Sequence, residues 1–300
     1  MPRIRIKHVD TFTRTPHEGN PAGVVDGRNV SEREMQLIAR ELNLSETAFI
    51  LPSSKQNVHV RIRAFTPTQE VPFCGHAMLA AFHSLAEDGK MGMAMAGKFE
   101  YRVETALGIL PVEVNKNDGQ ISVMMGLKLH SLEKAPQLRV ELVRLLDVAL
   151  SEFDAQFPVV KSDYLYVPVK RLHTLFNMQP DLLALSKFLK VRRLGGLCVF
   201  TTETVERSSA VHSRFFAPHE GINEDPVTGS SHGTLAACLY AGGMLKLDDG
   251  KCVFKAEQGD AIGRKGRLTV ELDVDDEKPV AVRVGGTAVT ILEAEMLLND

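Results

Sequence analysis

Two stretches of this chain share one grammar. Arg63 to Ala81 reads RAFTPTQEVPFCGHAMLAA, and Arg214 to Ala237 reads RFFAPHEGINEDPVTGSSHGTLAA. Each runs from Arg and Phe through a Pro-bearing polar loop to a Gly, then into an alanine-rich apolar segment. Aligning Phe65 with Phe216 sets the copies about 150 residues apart, half of the 300-residue chain, which is an ordinary domain length and too long for a solenoid unit. The chain is therefore expected to form two similar domains facing each other.

The elements around the repeats point to an α+β fold. Ser31 and Glu34 make a capping box, and Met35, Ile38, Ala39 and Leu42 follow at helical spacing, so a helix is expected over 31–43. HEGNPAG at 17–23 reads as a turn-rich irregular loop. ETAFIL at 46–51 and the alternating run 58–64 read as strands. GHAMLAAFHSLAE, from Gly75, is apolar almost all round and suits a helix enclosed by sheet. Extended runs near 98–104, 108–115 and 120–125 follow, with Asp118-Gly119 as a hairpin turn.

From residue 128 the order recurs: a helix over 137–150, strands within 158–169, a helix from Pro180 to Lys190, strands at 197–202 and 210–217, and a small-residue helix at 230–241. GRLTVEL at 266–272 repeats GILPVEV at 108–114. Short strands joined by tight turns imply two pseudo-symmetric domains, each a curled, mostly antiparallel sheet around a central helix. The expected division is 1–127 and 128–286, with 287–300 returning to the first domain.

Composition excludes several classes. A net charge of −3, with 24% charged residues of both signs, offers no basic field for nucleic acid. The start, MPRIRIKHVDTF, has no apolar signal core, and no run of eighteen apolar residues exists to span a bilayer, so a cytoplasmic location is expected. Cys74, Cys198, Cys238 and Cys252 are scattered without metal-ligand or disulfide spacing, and no metal is expected.

The candidates for chemistry gather at the repeats. Gly75-His76 and Gly229-Ser230 each open a helix, where unpaired N–H groups and the positive dipole end favour a carboxylate. Their alternative use is as tight turns into packed helices. Asp225, between Glu224 and Pro226, lies in a loop longer than its twin; its alternative is a turn or capping residue. Glu46 opens a strand of β-branched and aromatic residues, where Glu is disfavoured, and its counterpart in the second half is Leu197. Held in an apolar cleft, such a carboxyl would have its pKa raised toward neutrality, as proton transfer requires. His76 is a candidate proton donor. Cys74 beside it is either an inert core thiol or a nucleophile with a pKa lowered by the helix end.

The segments HVDTF with GNPAGVV, LNLSETAFI, RAFTPTQEVPFCGHAMLAA, FFAPHEGINEDPVTGSSHGTLAA and QGDAIGRKGRLTVEL, in that order, resemble the PhzF family of phenazine-biosynthesis-like proteins over nearly the whole chain. The resemblance implies the diaminopimelate epimerase-like fold with its active site between two domains, and a homodimer. It also implies an isomerase similar to the one that acts on trans-2,3-dihydro-3-hydroxyanthranilate, with no metal or organic cofactor and a small carboxylated substrate. Carried over by position, Glu46 resembles the carboxylate that takes and returns the proton. His76 and Asp225 resemble the polar groups that hold the substrate and assist protonation. Gly75, Gly229 and Ser230 match the substrate-binding donors, and Asn20 in GNPAG matches a substrate-loop position. The epimerases of this fold use two cysteines; here Cys74 meets Thr228, which disfavours two-thiol stereoinversion. A Cys74-dependent epimerase or hydrolase and a non-catalytic small-molecule-binding protein remain the alternatives, and nothing in the sequence names the substrate.

Overall fold

The computed structural model describes residues 3–117 and 119–298. The expected turn at Asp118-Gly119 lies partly outside the described residues, and the strands on either side pair from Asn117 to Gln120. The chain divides into two compact units, Met1–Gly126 with Gly285–Asp300, and Leu127–Val284.

In the first unit β1 (Arg3–Thr11) and β2 (Asn20–Asp26) form an antiparallel pair. α1 (Glu32–Leu42) then crosses over to β3 (Glu46–Leu51), which runs parallel to β2. Ser31 caps α1 through the Glu34 N–H, Glu34 returns the bond to the Ser31 N–H, and Asn43 ends it in the left-handed conformation. β4 (Val60–Phe65) and β5 (Glu70–Val71) continue antiparallel and lead into α2 (Gly75–Glu87). Every residue of α2 from His76 to Ala86 is buried. β6 (Gly97–Thr105), β7 (Gly108–Asn117) and β8 (Gln120–Leu127) close the run.

The second unit begins with β9 (Glu133–Lys134), α3 (Arg139–Leu146), β10 (Val160–Lys161) and β11 (Leu165–Pro168). α4 (Leu172–Asn177) and α5 (Leu182–Arg192) then cross to β12 (Leu197–Thr201), parallel to β11. β13 (Ser209–Ala217) and β14 (Ile222–Asp225) lead into α6 (Gly229–Ala241), which is buried over most of its length. β15 (Lys251–Gln258), β16 (Gly266–Asp275) and β17 (Lys278–Leu297) follow, and Ala288 to Leu297 pair antiparallel with β1. Leu142, Leu146, Leu185, Leu189, Val199 and Phe216 build a core under α3 and α5, each such side chain contributing about 1.5–3 kcal/mol by leaving water.

Antiparallel pairing predominates among the described residues, as expected, while β2–β3, β4–β6, β11–β12 and β13–β15 are parallel; each of these contacts is spanned by a helix, as parallel pairing requires. Several other expectations change. The turn-rich reading of 17–23 holds only for its start. Gly19 takes φ +64, where a Cβ would meet the Thr11 carbonyl oxygen at 2.0 Å, but Asn20 to Gly23 belong to β2. Pro21 is tolerated there because the parallel ladder with β3 begins only at Ala22. The 137–150 helix stops at Leu146, since Asp147 adopts φ 52. Pro180 does not open α5; Asp181 does, its carboxylate accepting the Ala184 N–H. The six-residue α4 is too short to leave a periodic signal.

Candidate active site

Glu46 is the first residue of β3, set beside Ala22 by the parallel register, and is only 8% exposed. Cys74 is the N-cap residue of α2 and makes no side-chain capping hydrogen bond. His76, one turn in, is buried between the two. Its Nε2 lies 3.1 Å from Glu46 Oε2 and its Nδ1 lies 3.2 Å from Cys74 Sγ. Glu46 Oε2 is buried and within ion-pair range, yet no donor is aligned on it for a hydrogen bond.

Asn20, fully buried, adds a third side to His76, with Nδ2 3.4 Å from Nδ1; its Oδ1 accepts the Ser45 hydroxyl at 3.3 Å. Gly75 is uncrowded: an added Cβ would meet nothing nearer than Phe73 at 3.8 Å. Packing therefore does not demand glycine here, which favours its reading as room for a ligand against the helix end.

The electrostatics are asymmetric. Burial pulls the His76 pKa down, but Cys74 and Glu46 outweigh it and hold the imidazole well above the usual histidine range. Burial and then the Glu46 carboxylate push the Cys74 thiol up, although His76 and the Ala77 N–H work the other way. The lowered thiol pKa entertained from the sequence is thus reversed, because the helix end is dehydrated and shared with a carboxylate. Removing that charge in Glu46→Gln should lower the thiol pKa, so iodoacetamide should alkylate Cys74 faster in the variant than in the parent at one neutral pH. An unchanged or slower rate would mean that Glu46 does not set the thiol.

In the second unit Asp225, at the end of β14, accepts the Thr228 hydroxyl, and Gln258 ties the loop down. Gln258 Nε2 donates to the Asp225 carbonyl at 2.7 Å, and its Oε1 accepts the Thr228 N–H at 3.1 Å. Thr228 caps α6 in position only, its hydroxyl being committed to Asp225. Ser230 Oγ is 2.9 Å from the Tyr164 hydroxyl. His232 Nδ1 donates to the Thr228 carbonyl at 2.8 Å and, by burial, its pKa falls to about 4, so the ring is neutral.

Asn20, Glu46, Gly75 and His76 thus share one locality with Cys74, while Asp225, Gly229 and Ser230 share another with Thr228. Sequence reasoning missed Ser45, Tyr164 and Gln258. Ser45 directly precedes Glu46, and Gln258 lies within QGDAIG, whose Gly259 takes φ +91; Tyr164 carries no local signal.

A family model described as PhzC-PhzF, phenazine biosynthesis-like protein, matches residues 9–294. An uncharacterized isomerase of Clostridium acetobutylicum is 37% identical over 305 residues, spanning 99% of this chain and 99% of that protein. The uncharacterized isomerase YddE of Escherichia coli K12 is 35% identical over 306 residues, spanning 98% of this chain and 99% of its own length. A PhzF family protein of Bacillus anthracis superposes with a TM-score of 0.88 at 31% identity, covering 99% of this chain and 100% of the other.

Proposed function

The chain belongs to the PhzC-PhzF family of phenazine biosynthesis-like proteins, and from that premise we propose that it is an isomerase of a small carboxylated substrate, moving one proton through Glu46. The observation that carries the reading is the buried Glu46 carboxylate, whose Oε2 has no aligned donor and stands 3.1 Å from His76 at an uncapped helix start. An oxygen in that state is an acceptor in wait for a C–H proton.

In this mechanism Glu46 removes a proton from a substrate carbon, and the released electron pair delocalises into the adjacent unsaturated system. Glu46, now protonated, returns the proton to a second carbon on the same face, so the net reaction is isomerisation with no gain or loss of atoms. His76, cationic through its raised pKa, supplies a charge-assisted donor to the developing negative charge. First-turn N–H groups at Gly75 suit the substrate carboxylate. The roles of Asp225, Gly229 and Ser230 in holding substrate, independence from a cofactor, action as a homodimer and a cytoplasmic location rest on the family resemblance and the sequence reading.

The raised Cys74 pKa argues against the thiol as the attacking group. The experiment is a screen of cyclic amino and hydroxy acids in deuterium oxide. Deuterium is expected to enter the substrate at a single carbon as the double bond moves. A carboxylate that binds tightly, with no exchange or turnover across the screen, would overturn the reading.

A further inference from the structure

At the C-terminal end of α2 the first unit holds a cavity of about 340 Å³. Its walls come from one face of the sheet, because alternate residues of a strand share a face. Lys7 of β1, Val24 of β2, Ile50 of β3 and Val60 of β4 line it, and Ser84 and Leu85 of α2 complete it. Their neighbours Ile6, Val25 and Phe49 belong instead to the core with Met35 and Ile38 of α1. We propose that this cavity is a second small-molecule site, taking a carboxylate whose apolar body carries a hydroxyl at its far end. It is separate from the candidate active site: α2 has 13 residues, so this end of the helix lies about 20 Å from Gly75. Such a site stands independently of the isomerase reading.

The lining selects the ligand. Val24, Ile50, Val60 and Leu85 offer an apolar surface, and the volume falls within the range of about 300–1,000 Å³ usual for small-molecule sites. Ser84 asks for a polar group as well. It is only 6% exposed and its carbonyl accepts the Asp88 N–H at 3.0 Å, yet among the described residues its hydroxyl has no hydrogen-bond partner. A ligand hydroxyl, which both donates and accepts, matches it. Arg5, Lys7, Arg28 and Lys90 stand in the walls against Asp26 and Asp88. Arg5 and Lys7 are spent on Asp88, Glu87 and Glu293, so the head group falls to the other two cations. Arg28 gives Nε and Nη2 to Asp26 and keeps Nη1, while Lys90 Nζ makes one contact among the described residues, 3.3 Å to Asp88. Hydrogen bonds from Arg28, and more weakly the Lys90 charge, lower the Asp26 pKa, which puts both cations at one spot. A carboxylate accepts from both. An ammonium group finds no such spare partner, since Asp26 is held by Arg28 and Asp88 is shared by Arg5, Lys7 and Lys90.

Titrating 4-hydroxyphenylacetate into the full chain with isotope-labelled methyl groups tests the site without any substrate. The methyl resonances of Ile50, Val60 and Leu85 are expected to move and to saturate in the millimolar range or below. They should do so equally in Glu46→Gln, whose change lies toward the other end of α2. Arg28→Gln and Lys90→Gln, both at exposed positions, should each weaken binding roughly two- to fivefold, the scale of exposed ion pairs. Phenylacetate, which lacks the hydroxyl, should bind roughly two- to tenfold more weakly than the probe in the wild type, and as well as the probe in Ser84→Ala. Circular dichroism confirms that each variant is folded. Tyramine, the same body with an ammonium head, should bind least of the three. Methyl resonances that stay still, or that respond in the wild type and not in Glu46→Gln, would overturn the site. Tyramine binding as tightly as the acid would overturn the carboxylate, and a hydroxyl advantage that survives Ser84→Ala would overturn the part given to Ser84.

Discussion

Glu46→Gln is expected to lose isomerisation and solvent-deuterium exchange by roughly 10²–10⁴-fold or more, the usual contribution of a positioned general base. The substitution is close to isosteric. It keeps the packing of β3 beside β2 and removes only the charge and the proton-accepting oxygen. Glu46 Oε2 has no aligned hydrogen bond to lose, but its charge helps hold the His76 pKa up, so the thermal midpoint should fall while the variant stays folded and a carboxylate ligand still binds. His76 is the second reporter. Its pKa is held up by Cys74 and Glu46 against burial, so in the variant the imidazole should titrate at lower pH, visible in the proton spectrum of the ring. Ligand binding that depends on cationic His76 should then weaken at a lower pH than in the parent. A variant that retains full exchange activity would end the assignment of Glu46.

Glu257 is expected to give the largest loss of stability. Its carboxylate is fully buried with His212, accepting from His212 Nδ1 at 2.8 Å and from the Val205 and Glu206 N–H groups at 2.8 and 2.7 Å. Burial alone would raise its pKa, but the His212 bond and the two backbone donors overcome it and bring the group to about 2. Glu257→Ala strips three donors of their acceptor in a dry site and should cost about 3–5 kcal/mol, the range for breaking a buried pair. The sign with pH follows from the depressed value. The stabilisation is complete above the unfolded carboxyl pKa of about 4.3 and is lost as pH falls from there toward about 2. Urea midpoints measured from neutral pH downward should therefore separate parent and variant most at neutrality and converge in acid. Equal midpoints at every pH would refute the role. Glu257 is followed directly by Gln258, which holds the Asp225–Thr228 loop, so the variant should also loosen the start of α6.

Much of this was legible one segment at a time. The capping box at Ser31, the apolar helix from Gly75 and the strand ETAFIL depend on contacts within a few residues, and a few residues display them. The repeat was legible for the same reason: two copies of a strand–loop–helix junction look alike as strings. What failed was whatever a neighbour from elsewhere in the chain decides. Asn20 to Gly23 read as loop because Gly, Asn and Pro favour turns, yet pairing with β1 and, from Ala22, β3 draws them into a strand. The extent of parallel pairing was hidden because strand direction is set by where a helical crossover lands.

For the candidate site the division is sharper. From the sequence alone came the residue types, the two helix starts and the break in symmetry at Glu46 against Leu197. Only the folded chain decided that Asn20 and His76, 56 residues apart, touch, and that Glu46 and Cys74 close around the same ring. The tertiary structure also reversed the expected Cys74 pKa. A helix end acts through its own backbone and is visible locally, whereas dehydration and a carboxylate from another strand exist only once distant segments exclude water together.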